Sequence, residues 1–271
     1  MLDSELKTLL DSAAARINVP EFVVEDPVQF PRRFSRQGDI EAAALLCATL
    51  AWGKRSMICR DCERLLEIMG DSPEYYIRSG EFENLADGNI HRTFFVRNLK
   101  HWLRGLRLIF ERYGSVEAYA SHLGIASDPF PSWALAQGLN AAMCQGNNGA
   151  TDSRCLPLNL RTTALKRLNM ALRWLVRNDG IVDIGLWTVI KPSQLFIPLD
   201  VHVGRTARTL GLLDRNANDR RSAESLTCAL RRFDIDDPVR YDFALFGLGV
   251  RDELGPETDP KSGPETYRED L

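Results

Sequence analysis

The sequence predicts an all-α fold, on three observations. Apolar residues recur at helical spacing in almost every segment between Leu2 and Val250. No stretch alternates apolar and polar residues around a hairpin turn, and no internal repeat is present. Proline, glycine and capping residues also divide the chain into pieces of roughly 8–20 residues, the usual helix length. A chain of 271 residues is long enough for one large helical domain or two small ones, with a core that needs no staples.

In order, residues 2–17 read as an amphipathic helix carrying Leu2, Leu6, Leu9, Leu10, Ala13 and Ile17 on one face. A connection punctuated by Pro20, Pro27 and Pro31 follows. Asp39 is placed to cap an apolar helix from Ile40 to Ala51 that stops at Trp52 and Gly53. The next helix covers 56–69, and Pro73 opens a shorter one. Residues 91–112 are helical and basic, through Arg97, Lys100, Arg104 and Arg107. Further helical patterns occupy 115–123, 131–145, 163–178, 183–190, 201–211, 220–232 and 238–250, and the clearest loop is 145–160, rich in Gly, Asn and Pro.

Composition narrows the function classes. No apolar run approaches the roughly 20 residues of a membrane span. The N-terminus lacks the basic and apolar regions of a secretory signal, so a cytoplasmic location is expected. Cys59 and Cys62 form a C-x-x-C pair with no second pair nearby, and packing on one helix face accounts for them without metal or redox chemistry.

The net charge of −3 hides an uneven distribution. Residues 251–271 hold seven acidic and three basic side chains with three prolines, a composition that predicts disorder. The remainder carries 31 basic against 30 acidic side chains. Within it, residues 154–177 contain Arg154, Arg161, Lys166, Arg167, Arg173 and Arg177 with no acid, a footprint suited to a phosphate backbone. A solvated helix face would look the same.

Two segments carry candidate chemistry. In the helix from 163, Leu165, Leu168, Leu172, Leu175 and Val176 form the apolar stripe, while Lys166, Met170, Arg173 and Arg177 follow another. Lys166 falls in the first turn, where the positive end of the helix dipole and Arg167 both face its amine. In Pro198–Leu212, Asp200 stands at the mouth of a helix that presents Arg205 and Arg208 and stops at Gly211. An acid there is a helix cap, or a carboxylate whose charge is held in place by the same N–H groups.

The second segment resembles the aspartate-bearing stretch of the helix-hairpin-helix DNA glycosylases, the group of endonuclease III and the adenine-mismatch glycosylase. Leu199, Asp200, His202, Val203, Arg205, Arg208, Leu210, Gly211 and Leu212 match its pattern, and Val201 replaces a usual threonine. Over most of residues 25–250 the chain resembles, more closely still, an uncharacterised bacterial family within this superfamily. Lys166–Arg177, Pro192–Val203 and Tyr241–Gly249 match that family's motifs. The glycine-bearing hairpin of endonuclease III is missing. Lys166 and Asp200 are 34 residues apart, a longer spacing that resembles the archaeal 8-oxoguanine glycosylases.

The resemblance implies a two-lobed glycosylase fold with an altered hairpin. Residues 34–197 would form one helical lobe, with 1–33 and 198–250 in the other. It implies a base-excision enzyme with lyase activity on an oxidised purine, with Asp200 assisting base departure and Lys166 forming a Schiff base. A non-catalytic damage-recognition protein on the same scaffold is the alternative. The implied partner is double-stranded DNA, bound by a monomer. Trp52 is the candidate stacking residue, and Lys54, Arg55, Arg161, Arg167, Arg173, His202 and Arg205 are candidate DNA or base contacts. No cofactor or metal is expected. The four-cysteine iron–sulfur pattern is absent, since only Cys228 lies beyond Asp200.

Overall fold

The computed structural model describes residues 2–250. The acidic segment 251–271, expected to be disordered, lies outside the described residues. Twelve α-helices occur among the described residues: α1 (Asp3–Ile17), α2 (Pro20–Glu25), α3 (Gln37–Thr49), α4 (Arg55–Met69), α5 (Pro73–Ser79), α6 (Val96–Tyr113), α7 (Val116–His122), α8 (Pro131–Gly146), α9 (Lys166–Val176), α10 (Val201–Thr209), α11 (Arg220–Arg231) and α12 (Tyr241–Val250). The all-α expectation holds, with one small departure. A two-stranded antiparallel sheet, β1 (Asn89–His91) with β2 (Phe94–Phe95), occupies the start of the region read as basic helix. Arg92, at φ 49°, makes the tight reversal between them.

Local chemistry explains most boundaries. Pro20, Pro73 and Pro131 open α2, α5 and α8, where a missing N–H costs nothing. Ser72, Ser115 and Asp219 accept from the first-turn N–H groups of α5, α7 and α11. Asp39 does not cap its own helix. It lies buried inside the first turn of α3, and its Oδ1 accepts from Ser72 Oγ and Glu74 N, both at 2.8 Å, at the start of α5.

Helix α3 is buried on nearly every side, as its apolar sequence requires. A second buried carboxylate, Glu41, accepts from Val116 N at 2.7 Å, Glu117 N at 2.9 Å and Trp187 Nε1 at 2.9 Å. Burial pushes the Glu41 carboxyl above its ordinary value, against the pull of those donors. α1 and α10 pack on α12, α3 packs on α9, and α6 packs on α8, over a continuous core from Leu6 to Leu248. Trp174 and Trp187 both lie inside it.

Residues 183–190, read as helical, form no helix. Gly180 and Gly185 adopt positive φ, and the segment folds back over the end of α9 instead. Ile184 N and Trp187 N donate to Trp174 O and Leu175 O at 2.8 and 2.7 Å, closing carbonyls that the last turn leaves open. Among the described residues no helix is long and apolar enough to cross a membrane.

Candidate functional site

Helix α9 begins three residues later than its periodicity indicates, at Lys166 itself. The preceding residue, Leu165, is left-handed at φ 51°, ψ 37°. That region is unfavourable for a side chain bearing a Cβ, by roughly 1–2 kcal/mol. Its surroundings hold it there: Leu165 N donates to Thr163 Oγ1 at 3.2 Å, and its carbonyl accepts from Asn169 N at 2.9 Å. The leucine side chain is buried. The consequence is a sharp turn that delivers Lys166 as the first helical residue.

Asp200 is the N-cap of α10, and its Oδ1 accepts from Val203 N at 2.9 Å. Its other oxygen, Oδ2, lies 4.0 Å from Lys166 Nζ. Both side chains are partly open to solvent, at 29% for the lysine and 36% for the aspartate, enough for a ligand to reach them. The amine also lies 3.7 Å from Met170 Sδ, one turn along α9.

The pair borders a cleft of about 100 Å³ between α2, α9, α10 and α12. Phe22, Phe243 and Phe246 supply its apolar wall, and Asp26, Arg55, Arg173 and Asp242 its charged one. Lys166 also borders a cavity of about 200 Å³ with Thr49, Trp102, Cys155, Leu165 and Arg167. Capping and facing the lysine are therefore simultaneous roles of Asp200, one per oxygen.

Arg173 is placed differently from the exposed candidates. It is buried, its Nε donates to Asp183 Oδ1 at 3.2 Å, and its Nη1 pairs with Asp242 Oδ2. Burial works against its charge, but Asp183 and Asp242 more than offset that and hold the guanidinium above its ordinary value. Arg173 is thus engaged in buried ion pairs while it also lines the cleft beside Lys166. Arg177 is buried likewise, with Asp183, Asp179 and Asp237 around it. The basic face of α9 is largely an internal ion network.

The other candidates are dispersed. Lys54, Arg161, His202 and Arg205 are exposed. Trp52 is half-buried and does not line the cleft. Its ring meets the edge of His91 at 4.5 Å, and the Arg167 guanidinium lies 5.2 Å above it. His91 is fully buried between Asp61 Oδ2 at 2.7 Å and the Trp52 carbonyl at 2.9 Å. Arg167 also donates to Thr49 O at 2.7 Å.

Of the candidate DNA contacts, Arg55 and Arg173 line the cleft, and sequence reasoning missed Phe22, Asp26, Asp242 and Phe246 beside them. Asp242 and Phe246 sit within the Tyr241–Gly249 motif, which was their only signal. Phe22 and Asp26 carried none.

Among the described residues, no group of three or more His, Cys, Asp or Glu is placed to hold a metal ion. Cys59 and Cys62 are free thiols, and burial pushes the Cys59 thiol up to about 11.

Fold and site together define a mostly helical protein with a lysine and an aspartate at two helix N-termini over one small cleft. The model of the family described as "protein of unknown function (DUF2400)" matches residues 26–251, and the chain belongs to that family. No curated protein and no solved structure matches it.

Proposed function

We propose that this protein is a base-excision DNA glycosylase with associated lyase activity, acting on an oxidised purine, 8-oxoguanine foremost, in duplex DNA. The observation that carries this reading is the 4.0 Å approach of Lys166 Nζ to Asp200 Oδ2 over an accessible cleft. A base inside a duplex is out of reach, so the damaged nucleotide would be extruded into that cleft. As the glycosidic bond breaks, its electron pair leaves with the base and the sugar becomes cationic. The Asp200 carboxylate, held by the Val203 N–H, would stabilise that charge.

The neutral Lys166 amine would add to the anomeric carbon, and opening of the sugar ring would give the Schiff base. Removal of a proton from the adjacent carbon would then expel the 3′-phosphate and nick the strand.

This reading carries the two-lobed helix-hairpin-helix glycosylase architecture with it. The packing of α3 with α9 and α6 with α8 supports a lobe from 34–197, and that of α1 and α10 with α12 supports a second from 1–33 and 198–250. Exposed Lys54, Arg161, His202 and Arg205 would contact phosphates, which fix register without reading sequence. We take the working form to be a cytoplasmic, nucleoid-associated monomer that needs no cofactor.

Borohydride reduction tests the reading directly. With an 8-oxoguanine duplex it should trap a covalent complex, and Lys166→Gln should abolish trapping while DNA binding persists. Duplex binding with no trapped species for any damaged base would leave a non-catalytic damage-recognition protein.

A further inference from the structure

One wall of the cleft beside Lys166 is a cationic side chain, Arg55. Arg55 is the first residue of α4, and its guanidinium carbon lies 4.8 Å from the Phe246 ring centroid and 5.3 Å from that of Phe22. Its Nη2 is 3.5 Å from Asp26 Oδ2. Asp26 is held independently, since its Oδ1 accepts from Val28 N at 3.1 Å. A planar guanidinium therefore lies against aromatic rings with its N–H edge toward an oriented carboxylate.

One class of base presents the same edge. The ring N–H and the exocyclic amine of guanine are two adjacent N–H donors on a flat ring, and together they form a guanidine unit. Oxidation at the far side of the purine leaves that unit intact. Bases that present only carbonyl oxygens there would meet the Asp26 carboxylate with like polarity.

We infer that Arg55 is a displaceable internal mimic of guanine, and that Asp26 is the residue that recognises the guanine-type edge of the extruded base once Arg55 swings out. Two features make the exchange feasible. The Arg55 side chain is 36% exposed, so it has room to leave, and its contact with Asp26 is long for an ion pair and partly screened. The cleft of about 100 Å³ is small for a ligand site with Arg55 in its wall, and would widen if that side chain swung away.

The inference rests on the proposed function for the identity of the ligand, but it is read out without catalysis. The probes are the nucleosides 2′-deoxyguanosine and 2′-deoxyinosine, which differ by the exocyclic amine, titrated into the full-length protein and followed by its NMR spectrum. Arg55→Ala should bind deoxyguanosine at least about tenfold more tightly than the unmodified protein does. It should also prefer it to deoxyinosine by about tenfold, the scale of one lost hydrogen bond to a charged group. Adding Asp26→Asn, which keeps an oxygen for Val28 N, should erase the preference. Arg55→Lys should give the same gain with the positive charge retained.

Equal binding of the two nucleosides by Arg55→Ala, or no binding, overturns the inference even if borohydride trapping succeeds. The expected preference stands as support even if trapping fails and the glycosylase reading falls.

Discussion

Arg173 and Asp183 meet inside the protein, Nε to Oδ1 at 3.2 Å, with side chains only 5% and 0% exposed. The pair anchors α9 to the segment that folds back over its end, and Asp242 ties the same arginine to α12. Asp183→Asn would leave both Arg173 and Arg177 short of a counter-charge. Breaking a buried pair from one side costs roughly 3–5 kcal/mol. Urea unfolding should show a loss of that size, with the midpoint falling and the slope unchanged.

Asp200 separates capping from chemistry. Asp200→Asn keeps an oxygen for Val203 N, so the thermal midpoint should stay close to that of the unmodified protein while base release slows. Asp200→Ala loses the cap as well, at a cost of about 1 kcal/mol. Calorimetry beside a single-turnover base-release assay distinguishes the two substitutions. Lys166→Gln breaks only a partly exposed contact, worth about 0–1 kcal/mol, so stability should barely change as trapping disappears.

Asp61 sets an acid limit on stability. Burial raises its carboxyl, but the hydrogen bonds from Arg60 and His91 outweigh that, leaving it below its ordinary 3.8. A depressed folded-state value means that its stabilisation is complete above pH 3.8 and is lost as pH falls through the lower folded value. Stability of the unmodified protein should therefore decline more steeply below about pH 4 than that of Asp61→Asn. Urea midpoints measured at falling pH give the comparison.

Salt dependence should sort the cations. Alanine at exposed Lys54, Arg161 or Arg205 should weaken duplex binding and each reduce the slope of log affinity against log salt by about one. Arg173→Lys should disturb stability and leave that slope alone. A slope change on altering Arg173 would contradict its burial.

Much of the helix order was legible in the sequence, because apolar spacing and prolines are local signals. Lys166 and Asp200 were legible through the segments that resemble a known superfamily. The misreadings have a common cause. Arg173 and Arg177 look solvated in a pattern that cannot show Asp183, Asp237 and Asp242 arriving from 10, 60 and 69 residues away. Residues 183–190 carry helical spacing, but their backbone groups are taken by the open end of α9. Likewise Leu165 gives no sign of a left-handed turn, which glycine would have announced. Asp26 and Phe22 join the cleft through tertiary packing alone.

The cleft draws its walls from distant parts of the chain: Phe22 and Asp26 precede α3, Asp242 and Phe246 lie on α12, and α1 packs against α12. Synthesis proceeds from the N-terminus at about 5–20 residues per second, so α12 leaves the ribosome after every other helix described here. A nascent chain already holds Lys166 and Asp200 but not the helix that encloses them. The Lys166 amine and the Asp200 carboxylate gain the α12 wall of their cleft only when that helix has docked, so the cleft is completed last as the chain is made.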